Sequence, residues 1–159
     1  MSLVLSVHRT TITDPLARPL FDELAHEYLT RYGASDDLYG YPAEEFAPPT
    51  GTFLLLLEQG RPVAGGAYRR YDDTTAELKR IWTHSGHRRR GLARRVLTVL
   101  EREAADRGYT RIHLTTGPRQ PEARGLYLAT GYRPLFDVDA DPESLGSLPF
   151  EKHLENPNP

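Results

Sequence analysis

Five arginines crowd one short stretch of the chain. Arg88, Arg89, Arg90, Arg94 and Arg95 surround Gly91 and Ala93 in HRRRGLARRV. Residues of these types at this spacing could hold a phosphate or pyrophosphate. The surrounding sequence, Ala76 to Tyr109, reads as a buried strand, a short turn, and an amphipathic helix that begins inside the turn. A helix start leaves several backbone N–H groups without intrahelical acceptors, and the helix dipole adds positive potential there. Gly91 lets the backbone approach an anion closely, and Ala93 does nearly the same. A run of arginines can equally be a solvated basic face. The glycine and helix start that follow at once favour the anion site over it.

Other residues carry chemistry only if the fold brings them together. Glu77 alternates with Leu78 and reads first as an ion-pair partner of Lys79, Arg80 or a neighbouring strand. Tyr127 lies on an apolar stripe with Ala123, Leu126 and Thr130, so its first reading is a helix-face residue. Trp82 reads as core. His84 and His87 share one turn with no third ligand, a poor metal site, and read as near-surface residues that could touch phosphates. There are no cysteines, which excludes disulfides, thiolate ligands and a cysteine nucleophile, and fits a cytoplasmic protein. Neither G-x-x-x-x-G-K-[ST] nor a G-x-G-x-x-G after a strand is present, so a Walker nucleotide site and a dinucleotide fold are unsupported.

The elements that must position these residues follow from periodicity and breakers. Leu3–Arg9 alternates as a strand, and Asp14-Pro15 opens a helix that runs to Tyr32, with Gly33 as its stop. Gly33–Gly51 is a long loop whose Tyr39, Tyr41 and Phe46 favour order, with a helical turn at Ala43–Phe46. Thr52–Glu58, Pro62–Tyr71 and Thr75–Thr83 form an antiparallel meander on tight turns. A helix from about Arg90 to Arg107 then crosses to Arg111–Thr115, which should run parallel to Thr75–Thr83. Pro121–Thr130 is a second helix, and Tyr132–Phe136 and Phe150–Leu154 are strands flanking an acidic loop, Asp137–Ser147. The fold class is α+β, a mostly antiparallel sheet with one central parallel pair and flanking helices. Residues 1–154 read as one domain, and Glu155–Pro159 as a disordered tail.

The totals bound the partners. A net charge of -2 argues against a general nucleic-acid binder. The longest apolar run, Phe53–Leu57, is far too short to span a bilayer, so no membrane partner is expected.

Three places resemble the GNAT superfamily of acyl-CoA N-acyltransferases. Arg88-Arg89-Arg90-Gly91-Leu92-Ala93 fits its [RQ]-x-x-G-x-[GA] turn. Ala76–Thr83 resembles its fourth strand. Gln120-Pro121-Glu122-Ala123-Arg124-Gly125-Leu126-Tyr127-Leu128-Ala129-Thr130-Gly131-Tyr132 is similar to its N-x-x-A-x-x-L-Y-x-x-x-G-[FY] helix. There are two departures: Gln120 stands where the family often has Asn, and His84-Ser85-Gly86-His87 replaces a commoner valine and proline spacing.

The resemblance implies acetyl-CoA as cosubstrate, held by Arg88, Arg89, Arg90, Gly91, Leu92, Ala93 and Arg94 at its pyrophosphate. Ile81, Trp82 and Thr83 would lie along its pantetheine arm, with Gln120 and Tyr127 nearby. It implies direct transfer to a primary amine of a small molecule. Glu77 would take the amine proton, directly or through water. A backbone amide near Trp82 would face the thioester oxygen, and Tyr127 would protonate the sulfur. No metal is implied, and a homodimer is admitted. A non-catalytic CoA-binding or sensor module with the same fold is the alternative. On the acceptor side, Asp14, Asp22, Glu23, Glu27, Asp36, Asp37, Glu44 and Glu45, with Asp137, Asp139, Asp141 and Glu143 of the acidic loop, are either a negative rim for a cationic amine or solvated charges.

Overall fold

A computed structural model describes residues 4–33 and 36–155. The anticipated Leu3 start of the first strand and the tail beyond Glu155 lie outside the described residues. Seven strands form one sheet in the order β1-β2-β3-β4-β5-β7-β6. They are β1 (Leu5–Arg9), β2 (Thr52–Glu58), β3 (Arg61–Asp72), β4 (Thr75–Thr83), β5 (Arg111–Thr116), β6 (Arg133–Pro134) and β7 (Leu148–His153). Every pairing is antiparallel except β4 with β5, the parallel pair that a helical crossover requires.

The apolar run in β2 explains the two-layer cover. Leu54 and Leu56 are buried in a cluster with α3 (Leu92–Asp106), while Phe53 and Leu55 are buried in a second cluster with α1 (Arg18–Tyr32). Alternate side chains of one strand thus enter opposite cores, as the pleat demands. α3 buries Leu92, Val96, Leu97, Leu100 and Ala104 along one stripe. Gly66 of β3 lies beneath it, where a Cβ would come within 2.9 Å of Val96 and 2.7 Å of Ile81.

Some boundaries differ from expectation. Asp14 caps, but what it caps is a 3-10 turn, Pro15–Ala17, and α1 begins only at Arg18. Pro19 gives the reason: a continuous helix from Pro15 would set its ring against the carbonyl four residues back. The loop before β2 carries the expected turn at Ala43–Phe46 and also a short helix, α2 (Asp36–Tyr39). α4 (Pro121–Ala129) lies as anticipated, whereas the Tyr132–Phe136 strand shrinks to Arg133–Pro134. Pro134 brings no N–H to the ladder. The acidic loop holds a short helix, α5 (Pro142–Leu145).

Candidate functional site

β4 and β5 pair only over Thr75–Glu77 and Arg111–His113. Beyond that they part, and the edges of Leu78–Thr83 and Leu114–Thr116 that face each other carry no ladder. The cause lies within β4. Its register against β3 slips between Gly65 and Ala67, so that Arg80 and Ile81 together oppose Gly66, and Arg80 adopts φ 60°. This is a β-bulge with a non-glycine residue in the left-handed region, a conformation that costs about 1–2 kcal/mol. It turns the strand away from β5. It also breaks the in-out alternation: Lys79 packs over Tyr41 and Arg80 over Phe21, Phe46 and Phe53, so two consecutive side chains share the α1 face.

Two cavities open along the cleft. The first, about 610 Å³, lies between the end of β4, the start of α3 and α4, with Arg88, Arg89 and Arg94 on its wall. Gly91, at φ 73°, is the N-cap of α3 and gives no side-chain cap, so the first amides of α3 keep no side-chain acceptor. An uncapped helix start beside three arginines can hold a phosphorylated group. Arg90 is turned elsewhere. Its guanidinium bonds Glu58 of β2 and lies 2.8 Å from His87 Nδ1, and it does not border the cavity. His84 and His87 stay outside the lining too; His84 Nδ1 accepts from the Gly86 amide at 2.9 Å.

Ile81, Trp82 and Thr83 line this cavity, as do Leu92 and Ala93. The Trp82 ring itself is buried in the α1 cluster, where Nε1–H donates to Glu23 Oε1 at 3.0 Å. The same oxygen accepts from the Ser85 amide at 2.9 Å. Burial raises the Glu23 carboxyl pKa, but these bonds outweigh it and hold it below its ordinary value. Glu23 and Glu27 border this cavity without having been anticipated there. Their helical spacing put them on one face of α1, but nothing in the sequence said which element that face would meet.

The second cavity, about 460 Å³, is walled by Tyr28, Tyr32 and Tyr41, with Lys79 and Arg80 on its β4 side. No carboxylate is among the residues of its described lining. Ile81, Gln120, Ala123 and Tyr127 line both cavities and mark their junction. Gln120 Oε1 takes bonds from the Gly117 amide at 3.1 Å and from Thr116 and Tyr32 at 3.3 Å each. Three donors on one oxygen fix the orientation of the amide. Tyr127 is buried against Tyr132 and Phe150, and burial pushes its phenol pKa well above the ordinary tyrosine value.

Glu77 lies on the same face of β4 as Lys79 but lines neither cavity. Its carboxylate sits 3.0 Å from Arg69 and 3.8 Å from Lys79, and Arg69 also holds Glu45 at 3.0 Å. No helix among the described residues is long and apolar enough to cross a membrane, and no group of three or more potential metal ligands occurs among them.

Comparison with known proteins bears on this arrangement. The Acetyltransferase (GNAT) family pattern matches residues 18–132. The uncharacterized N-acetyltransferase YsnE of Bacillus subtilis is 30% identical over 131 residues, 79% of this chain and 86% of its own. The uncharacterized N-acetyltransferase YedL of Escherichia coli is 30% identical over 144 residues, 85% of this chain and 90% of its own. Among solved structures, a GNAT family acetyltransferase from Elizabethkingia anophelis with acetyl-CoA bound superposes at TM-score 0.67 and 15% identity, covering 94% of this chain and 98% of that one.

Proposed function

Given that the chain belongs to the GNAT acetyltransferase family, we propose that it moves an acetyl group from acetyl-CoA directly to a primary amine of a small molecule within a ternary complex. The observation that carries this reading is the junction. A cavity with an arginine-flanked helix start meets a cavity with aromatic walls at Ile81, Gln120, Ala123 and Tyr127.

Arg88, Arg89, Arg94 and the first amides of α3 would hold the CoA diphosphate. The unladdered edge of β4 offers main-chain groups to the pantetheine arm, and an amide near Trp82 would donate to the thioester oxygen as charge gathers there. The acceptor must enter as a neutral amine. Lys79 and Arg80 repel an ammonium and favour its deprotonated form. Nitrogen then attacks the carbonyl carbon, the carbon–sulfur bond breaks, the surplus proton on nitrogen passes to water in the cleft, and the departing thiolate takes a proton from solvent, so that amide and free thiol are the products. Tyr127, kept protonated by its burial, would donate a hydrogen bond to the departing sulfur. Its raised pKa stands above the ~8.5 of a thiol, so stabilising the thiolate is easier than full transfer of the phenol proton. Glu77 would need a water or Lys79 between itself and the acceptor, and the reading gives it a positioning role on β4.

Incubation with acetyl-CoA and a broad amine panel, following free thiol, tests the reading. Amine-dependent thiol release with a matching acetylated product is expected. One observation favours a second reading, a CoA-binding module without turnover: the described acceptor cavity lacks a carboxylate or imidazole base. Calorimetric CoA binding with no thiol release from any amine would decide for that module.

A further inference from the structure

The cationic pair at the β4 bulge has no task in the transfer step beyond repelling an ammonium. Arg80 retains 7% of its surface exposure, yet its guanidinium has no carboxylate or hydrogen-bond acceptor among the described side chains. Its guanidinium rests 4.1 Å above the Phe46 ring and 5.0 Å from the rings of Phe21 and Phe53. Burial lowers its pKa to about 10, so it is still a cation at neutral pH. A guanidinium carries five N–H donors, and leaving them without acceptors away from bulk water is costly. None of its nitrogens is sealed off, and the residue borders the tyrosine-walled cavity. Lys79 borders the same cavity, its ammonium 4.7 Å from the Tyr41 ring centroid. Only the bulge lets these two neighbours in sequence face the same space.

The geometry points to an acceptor that carries a carboxylate close to its amine, an amino acid rather than a simple amine, with Arg80 and Lys79 binding the carboxylate. This rests on the acetyl-transfer reading for the position of the amine. Ile81, next along the strand, belongs to the junction where transfer would occur. Arg80 and Ile81 are neighbours at the bulge and both border the tyrosine-walled cavity, so a carboxylate held by Arg80 keeps the amine of a compact α- or β-amino acid in the space that reaches the junction. Planar guanidinium and planar carboxylate match in a two-bond fork, with Lys79 adding a point charge. The tyrosine walls would pack an apolar side chain.

The test compares L-phenylalanine, L-leucine and L-methionine with phenethylamine, isoamylamine and 3-(methylthio)propylamine, the same molecules without their carboxylates. Thiol release should favour the amino acids by about 100-fold in kcat/KM, the value of a desolvated charge-assisted contact. Equal or better turnover of the bare amines overturns the inference. Arg80→Met should cut the preference by about tenfold or more while calorimetric CoA affinity holds. Lys79→Met gives the same reading if Arg80→Met does not fold. If no amine is turned over, titration of the three N-acetyl amino acids and their decarboxylated counterparts into the CoA complex decides. Selective binding of the carboxylates keeps the inference and sinks the catalytic reading. Binding of none, or of both alike, overturns the inference.

Discussion

Tyr127 and Glu77 carry the sharpest residue-scale predictions. No hydrogen bond from a described residue acts on the Tyr127 hydroxyl, so Tyr127→Phe should leave the fold intact. It should lower kcat by about 100-fold with little change in the KM for acetyl-CoA, as expected for a contact made only as sulfur departs. Because burial raises this phenol's pKa, it stays protonated up to and beyond pH ~10. Rates should therefore climb with pH as the acceptor ammonium deprotonates, and a descending limb near pH ~8.5 that vanishes in Tyr127→Phe would contradict the assignment. Glu77→Gln should cost less than about tenfold in kcat and leave the acidic limb of the pH profile in place, since the carboxylate touches Arg69 and Lys79 rather than the cavity. Loss of that limb would make Glu77 the base. The sequence spoke clearly of the arginine turn and Tyr127, because glycine, helix start and apolar stripe are local patterns. It was silent on Arg80, whose left-handed backbone no glycine announces, and on the draw of Glu58 upon Arg90 from a distant strand.

At the scale of elements, the missing cap of α3 is a testable feature. Gly91→Asp keeps a residue type that tolerates the left-handed region and sets a carboxylate at the helix start. Calorimetry should show CoA affinity falling at least about tenfold, by repulsion of its diphosphate, with Tm lowered by a few degrees at most from the left-handed backbone at that position. Arg90→Ala should leave that affinity within about twofold. An equal loss from both would mean that Arg90 leaves Glu58 when CoA binds. At the other end of the chain, Asp14 accepts from His8, the Leu16 amide and Thr10, which together lower its pKa to about 2. Its contribution to stability is present above the ordinary carboxylate pKa and is lost as pH falls through about 2. Asp14→Ala should cost about 1 kcal/mol in a denaturant titration. The strand limits of β2 and β4 and the helix α4 were legible from periodicity and flanking breakers. The short helices α2 and α5 were not, because one helical turn leaves too few repeats to show a period.

For the molecule as a whole, burial in the core on the α3 side of the sheet sets the alkaline limit of stability. Tyr68, Tyr127 and Tyr132 are all buried, and burial is the main cause raising each phenol's pKa. A group whose pKa is raised on folding stabilises fully below its unfolded value and loses that contribution above it. Stability should hold to about pH 10 and then fall steeply, with more than one proton released per unfolding event. A flat profile to pH ~11.5 in urea titrations would contradict the burial. The parting of β4 from β5 has a different consequence. A central sheet that stops short of closure leaves two strand edges without a ladder along the cleft, and unpaired edges are where stray chains can add in extended pairings. On the acetyl-transfer reading proposed above, the acyl donor would act as a surrogate strand, and every product release would strip it away. Storage without CoA should therefore produce light-scattering aggregates that saturating CoA suppresses, and the cell's own pool of the donor would double as this protein's chaperone.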